Sequence, residues 1–511
     1  MLEPTKKPPR GRPRNAQAKY DAAGNGRRIK AWNPPASGPN KAITGASKIR
    51  DRSRDAVRND WSGESSVQKW TTTLVGVGIV PRWAKDDLNQ LWTQFARRAD
   101  ADGVLDVYGM QALAVRSWIA SGEVFVRRRP RSLKLGLPVP LQLQLIESDF
   151  CPYLDTDARP GMPEGNRIRQ GIELTKYGER AAYWFYKEHP GDKPSGGGSS
   201  LDLIRVPASE VIHLYEPPRP GALRGVSLLA PVLVRLRSTT DFEDAVLDRQ
   251  KLANLFTLFI TRAMPEDWED IDTDPDTGLP KWYGADGQPV AGLEPGISQQ
   301  LAPGEDVKFA NPPEAGVGFS DYLRSTNLGT AAGQGLPYEL FSGDIANVSD
   351  RAMRIVIQEF RRFAEQRQWH AVIPMLCQRV VEWFASAAVL AGLIAPRRLS
   401  EAQNPEHSPH GWDYIHPVQD VQGKILAIEA GLSSRTRAIT SRGDDPKQID
   451  KERLADQERE KGLGIQPKAP VANPTPPTPN NPGNNQAQAL AAAMQALAIA
   501  AQALSDYAKT Q

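Results

Sequence analysis

Between Val317 and Ile394 the chain reads as a helix, a glycine-rich break and a much longer helix, and this succession limits the possible folds more than any other stretch. In the break, Gly329 to Asp350, the residues Gly333, Gly335, Pro337, Gly343 and Asn347 follow one another too closely for a regular element to persist. The spacing predicts a loop. Ser349-Asp350 then supplies a helix cap, and Met353, Val356, Phe360, Phe363, Ile373, Leu376, Val380 and Phe384 recur close to a 3.6-residue period. Pro374 inside that run predicts a kink, because a proline removes one backbone hydrogen bond while the apolar stripe resumes beyond it. About 40 residues at about 1.5 Å each span on the order of 60 Å, which suits a strut better than a packing helix of a small enzyme domain.

A chain of 511 residues has room for two or more domains with sizeable cores, and a net charge of +3 argues against a protein that coats nucleic acid with its whole surface. The charge is unevenly placed: residues 1 to 58 carry fifteen Lys or Arg against four acids, and the remainder is slightly acidic. Cys151 and Cys377, the only two cysteines, exclude a disulfide scaffold and a four-cysteine zinc site. No signal-peptide pattern opens the chain, and no uncharged apolar run reaches the roughly 18 residues of a bilayer span, so a soluble, intracellular protein with no membrane partner is expected.

Taken in order, residues 1–48 read as a basic arm with little to bury, and Ile49 to Asn59 as a short basic helix. Val67 to Val80 reads as helix or strand ending in Gly76-Val77-Gly78, a tight turn rather than a dinucleotide fingerprint, since the third glycine is missing. Helices are predicted over Asp86 to Ala99 and Tyr108 to Ser121, with Gly122 as a stop. Strands follow at Glu123 to Arg129, Leu141 to Ile146, Gln170 to Leu174, Ala181 to Tyr186 and Glu210 to Tyr215, giving an α+β domain over 49–224, with a flexible loop at Lys193 to Ser200. A second long helix is expected within 225–263, from about Pro231 to Arg262. On it Asp241, Asp244 and Asp248 share one face, either as a solvated face paired with Arg237 and Lys251 or as a functional carboxylate row. A small β-containing insert over 264–313 shows one hairpin, Ile297 to Leu301 with Val307 to Asn311, turning at Pro303-Gly304-Glu305-Asp306. After Ile394, helices are predicted at Val418 to Ala430, Ser434 to Arg442 and Lys447 to Lys461, then a Pro/Asn linker over 466–485 and an Ala-rich helix over 486–511 whose Leu490, Met494, Leu497, Ala501 and Leu504 form a seam for a partner helix.

No catalytic constellation, metal site or cofactor is predicted. Phosphate-loop, Gly-x-Ser-x-Gly and His-Glu-x-x-His patterns are missing, His407 and His410 lack a third ligand nearby, and neither cysteine sits in a setting that favours a thiolate.

Several pieces in fixed order resemble the lambda-type portal proteins of tailed bacteriophages. They run from Tyr20-Asp21-Ala22-Ala23 through Arg52-Ser53-Arg54-Asp55, Val75-Gly76-Val77-Gly78, Gly122-Glu123-Val124-Phe125 and Ile146-Glu147-Ser148-Asp149. Val206-Pro207-Ala208, Ile212-His213-Leu214, Arg219-Pro220-Gly221 and Arg224-Gly225-Val226-Ser227 continue the order, as do Leu301-Ala302-Pro303-Gly304-Glu305-Asp306 and Gly335-Leu336-Pro337-Tyr338-Glu339 with Gly343-Asp344. The chain departs from the family at Val348-Ser349-Asp350-Arg351 and His416-Pro417-Val418-Gln419.

The resemblance implies a non-enzymatic ring of about a dozen identical subunits, a dodecamer, at one capsid vertex in the virion, assembled in the host cytoplasm. Double-stranded DNA would pass through its centre, and its other partners would be the terminase, head-completion or connector proteins, and the major capsid and scaffold proteins. The implied fold is a mixed α/β wing (49–224), stem helices (225–263 and 314–333), a clip insert (264–313), a tunnel loop (334–349), a long kinked wing helix (350–395) and a helical crown (396–465). Channel residues would include Gly343, Asp344, Asn347 and Ser349 in the tunnel loop and Asp241, Asp244 and Asp248 on the stem, with Pro303, Gly304, Glu305 and Asp306 as the docking turn of the clip. An acidic or neutral lining suits a conduit, because each Lys or Arg contact to a phosphate adds affinity and drag. The competing classes are a nuclease or packaging ATPase, which needs a phosphate loop or metal-binding carboxylates, and a capsid or scaffolding component.

Overall fold

The computed structural model describes residues 34, 37–41, 45–192, 203–255, 259–262, 305–308, 318–346, 348–412 and 417–464. The chain divides into two compact units, Met1–Ile425 and Leu426–Gln511.

Helix α1 (Ala46–Asn59) begins the first unit, and α2 (Trp61–Val75) follows at once because the Asp60 carboxylate caps it, accepting from Ser62 N. The Gly76–Gly78 turn leads into strand β1 (Val80–Arg82), then α3 (Asp86–Ala96) and α4 (Val107–Ser121). Next come β2 (Glu123–Pro130), β3 (Leu141–Glu147), β4 (Arg167–Arg169), β5 (Ile172–Leu174), β6 (Arg180–Tyr186), β7 (Leu203–Pro207) and β8 (Val211–Tyr215). Two antiparallel sheets result, ordered β3-β2-β8 and β4-β5-β6-β7.

Period-two alternation on β2 explains why these sheets stack. Val124 and Val126, with Leu141, Leu143, Ile212 and Leu214, enter a core shared with the helices, whereas Phe125, Ile146 and Val211 face Ile172, Tyr183, Phe185 and Val206 of the second sheet. The body is therefore helices on one sheet face and a second sheet on the other.

Helix α5 (Leu233–Leu255) leaves this body, and the chain runs through β9 (Phe259–Arg262) and β10 (Glu305–Lys308) before α6 (Phe319–Gln334) and the short α7 (Tyr338–Ser342). The long helix of the carboxy-terminal half is α8 (Asp350–Arg367), a π-helical segment (Gln368–Cys377) and α9 (Gln378–Leu390). Pro374 lies inside the π-helical segment, whose wider turn accommodates a residue that cannot donate. Phe384 packs edge-on to Trp92 at 5.1 Å, and Val372, Leu376, Val380 and Val381 are buried with it. Part of this helix is long and apolar enough to cross a bilayer when its few charged residues, such as Arg379 and Glu382, are tolerated, yet most of that stretch is buried in the body, as in a core helix. Helix α10 (Leu399–Gln403) and β11 (Glu406–Ser408), paired antiparallel with β1, close the body. Helix α11 (Pro417–Glu429) crosses into the second unit, which continues with α12 (Arg435–Thr440) and α13 (Pro446–Gly462), linked by an Arg435–Asp450 ion pair of 2.6 Å.

Several expectations change. The stem helix expected to reach Arg262 ends at Leu255, and Phe259–Arg262 is a strand, as its β-favouring Phe-Ile-Thr run permits. Glu305 and Asp306 are not a turn: they lie in β10, opposite Arg262 and Thr261. Residues 396–408, assigned to the crown, belong to the body through α10 and β11. Within the arm, Ser37–Lys41 is docked, since Asn40 Oδ1 accepts from Leu223 N (2.9 Å) and Gln170 Nε2 donates to Asn40 O (2.8 Å). Residues 46–48 of the arm already belong to α1, whereas residues 1–33, 35–36 and 42–44, the Lys193–Ser200 loop, the linker and the Ala-rich segment lie outside the described residues.

Candidate channel and docking elements

Helices α5 and α6 form a two-helix excursion from the body. Gly329 and Gly333, placed in a loop by local spacing but in a second stem helix (314–333) by the resemblance, stand inside α6. They are there for close approach: a Cβ on Gly333 would lie 2.6 Å from Val232 Cγ1, and one on Gly329 would lie 1.8 Å from an Arg235 nitrogen. Further along, Phe242 of α5 meets Tyr322 and Phe319 of α6 at 4.9 and 6.0 Å. Pairing of β9 with β10 rejoins the outgoing and returning strands beyond the helices.

Of the carboxylates on α5, Asp241 pairs with Arg237 (2.9 Å) and Asp248 with Lys251 (3.2 Å), all four exposed. Asp244 is exposed beside Glu243, whose own carboxyl is raised by burial and by the nearby Asp60 and Asp244. The solvated, paired face is thus what the structure shows, with net negative charge gathered around Asp60, Glu243 and Asp244.

The stretch expected to be a tunnel loop is partly ordered by α7. Gly335 and Gly343, both in the left-handed region (φ 72° and 74°), end α6 and α7, a conformation that other residues adopt only with strain. Phe341 anchors α7 against Trp61, and Ser65 Oγ donates to Phe341 O (3.0 Å). Asp344 turns inward to its own loop, accepting from Tyr338 Oη (3.2 Å) and Ala346 N (3.0 Å). Ile345 is outward beside the exposed Gly343 and Ala346, 70% exposed. Ser349 caps α8, accepting from Ala352 N. Asn347, Pro303 and Gly304 lie outside the described residues, and Glu305 and Asp306 are placed by their backbone only.

Sequence reasoning assigned no role to a buried junction at the root of α5. A Cβ on Gly225 would lie 2.0 Å from Gly122 O, so the two glycines let the end of α4 and the Arg224–Ser227 segment touch backbone to backbone. Around that contact Arg224, 0% exposed, donates from Nε to Glu123 Oε1 (2.7 Å) and from Nη1 to Gln170 O (2.8 Å) and Cys151 O (3.2 Å). His213 Nε2 meets Glu123 Oε2 at 3.0 Å, and Arg180 Nη1 donates to His213 Nδ1 (2.9 Å). Helix α1 joins through Ser53, hydrogen-bonded to Ala120 O (2.6 Å) and Ser227 Oγ (2.8 Å), and through the Arg50–Asp149 ion pair (2.9 Å).

Burial alone would raise the Glu123 carboxyl, but Arg224 and His213 outweigh it and hold the group well below the usual carboxylate range. Burial pushes His213 down to about 4 against the pull of Glu123. Accepting a hydrogen bond from Arg180 at Nδ1 while Nε2–H faces a carboxylate fits the neutral imidazole. Five of the scattered sequence pieces, at Arg52–Asp55, Gly122–Phe125, Ile146–Asp149, Ile212–Leu214 and Arg224–Ser227, meet here. Buried Glu and Arg far apart in sequence were the available signal, but no local window pairs them.

A cluster of Glu147, Asp149 and His189 could hold a cation by spacing, but Arg50 and Arg54 already neutralise Asp149 at 2.9 and 2.8 Å and Arg54 reaches Glu147 at 3.4 Å.

Residues 25–368 match the family model described as phage portal protein, lambda family. A probable portal protein of Halomonas phage phiHAP-1 is 26% identical over 393 residues, 75% of this chain and 73% of that protein. The portal protein of Escherichia phage N15 is 21% identical over 501 residues, covering 87% of this chain and 91% of that one. Among solved structures, a chain from the neck of a native gene transfer agent particle aligns with a TM-score of 0.43 at 17% identity, covering 85% of this chain and 96% of that chain.

Proposed function

Because the chain belongs to the lambda family of phage portal proteins, we propose that its α5–α6 excursion is the stem of a ring-shaped conduit for double-stranded DNA at the capsid vertex. The observation that carries the reading is the pair itself: two helices packed through Gly329 and Gly333, rooted in a buried ionic junction, with exposed acids along α5. At about 1.5 Å per residue, the 23 residues of α5 reach roughly 35 Å from the body. Twelve or so copies would surround a channel whose lining holds phosphates weakly, so that the duplex slides.

In this reading the α7 turn and the segment up to Ser349 form the tunnel loop, with Ile345 rather than Asp344 presented to the duplex. The β9–β10 ribbon and the residues between its strands form the clip, where the terminase and then connector proteins dock. The layered body is the wing, in contact with capsid and scaffold proteins. Assembly takes place in the host cytoplasm and the ring stays in the virion. The chain acts as a conduit and docking hub rather than as a catalyst.

Negative-stain images of the purified full chain test the reading. Rings with a central hole are expected, and native mass spectra showing only monomers and two-fold dimers at micromolar concentration would overturn it.

A further inference from the structure

Strand β2 and its continuation carry Arg127, Arg129 and Arg131 at alternate positions, hence on one face of the β2–β3 hairpin, about 6.8 Å apart along the strand. Pairing persists to the last of them, since Arg131 N donates to Pro140 O (2.9 Å). From Val124 to Ile146 the hairpin contains Arg127, Arg128, Arg129, Arg131 and Lys134 and no acid. Among the described residues no carboxylate forms an ion pair with any of these arginines.

The guanidinium groups are oriented without being neutralised. Gln144 Oε1 accepts from Arg129 Nε (2.8 Å), Gln142 Oε1 accepts from Arg131 Nε (2.8 Å), and Gln142 is itself held by donating to Asp100 O (2.8 Å). Arg127 Nε is buried with no hydrogen-bond partner. Burial and then the like charges of Arg127 and Arg131 depress Arg129, and only Glu210 opposes them from a distance. Cations assembled at mutual cost, and fixed by neutral amides, are a surface awaiting an anion.

We propose that this ladder is a second binding site for duplex DNA, contacting phosphates along one face of the hairpin. Uniform charge, regular pitch and neutral neighbours offer nothing that reads a base or a side chain, and phosphate contacts need nothing more. A surface that grips phosphates is the opposite of a sliding channel, so the ladder holds duplex that stays against the protein rather than duplex in transit. The site rests on the portal reading only in that duplex DNA is the polyanion this chain meets. An acidic protein is the competing occupant, and it would bury Leu133 and Leu135 at the hairpin tip, 70% and 59% exposed.

The test is the salt dependence of binding of the full chain to a fluorescent 30-base-pair duplex, comparing the native protein with R127Q/R129Q/R131Q, R127K/R129K/R131K and L133S/L135S. Three phosphate contacts contribute about −2.7 to the slope of log affinity against log salt for each subunit engaged. Between 50 and 200 mM salt the native chain therefore loses about 40-fold more affinity than the glutamine variant. The lysine variant keeps the slope, because counterion release counts charges, and so separates lost charge from lost fold; the serine variant binds as the native chain does. An unchanged slope in the glutamine variant overturns the site, as does a loss of duplex affinity confined to the serine variant, which would place the contact at the apolar tip instead of on the arginines. Ring images of the same samples keep the two readings apart: rings with an unchanged slope refute the ladder alone, whereas absent rings with a reduced slope refute the channel alone.

Discussion

Replacing Arg224 by Met probes the junction from which α5 leaves the body. The arginine is wholly buried, its Nε and Nη2 engage Glu123, and its remaining hydrogens reach the carbonyls of Ser148, Cys151 and Gln170. Methionine fills similar volume without a donor, so packing is largely kept while Glu123 loses its chief counter-charge. Breaking a buried pair from one side costs about 3–5 kcal/mol, and the orphaned carbonyls add to it, so a loss of at least about 4 kcal/mol is expected. Against a domain stability of about 5–15 kcal/mol that is a large fraction. Tryptophan fluorescence in a urea titration reads this unit selectively, because all twelve tryptophans precede Leu426. Adding Glu123→Met to the same chain removes the stranded carboxylate and should return about half of the loss. If R224M alone shifts the curve by less than about 1 kcal/mol, or if the double variant loses the sum of the two single losses, the two residues are not an interdependent buried pair and the reasoning fails.

Three further outcomes follow from the geometry. His213 stays neutral in the fold down to about 4 but takes a proton near 6.5 when unfolded, so the unfolded state binds more protons between these values. Stability should therefore fall by about 3 kcal/mol as pH drops from 6.5 to 4. His407, pushed down to about 4 by burial, adds in the same direction, and His213→Gln should flatten only its own share of a urea-midpoint profile. Gly333→Val drives a branched side chain into Val232, costing about 1–3 kcal/mol, and should abolish rings seen by electron microscopy while the body still melts cooperatively; Gly329→Ala meets only the mobile end of Arg235 and should be milder. Ile345→Lys adds one exposed positive charge per subunit without disturbing the Asp344 turn, so rings should look normal while packaging slows and recovers with added salt; packaging at the native rate would remove this loop from the duplex path.

Sequence by itself determined whatever depends on a few neighbouring residues. The 3.6-residue stripe from Met353 to Phe384 set the long helix, and the Ser349 cap set its start. Gly122 set the break between α4 and β2, and alternation set the strands of the body. These features are local because caps, periodicity and turn glycines act within one or two turns of chain. Only tertiary structure decided what each residue faces. Gly329 and Gly333 are loop signals in a local window, yet here they admit a second helix, and helical propensity yields to that packing. Glu305 and Asp306 pass for a turn until Phe259–Arg262, more than forty residues earlier, takes them as a strand partner. Glu123 and Arg224 become a buried ion pair, with neutral His213 hydrogen-bonded to it, because two sheets and α4 close over them, removing the water that would otherwise have screened the two charges separately.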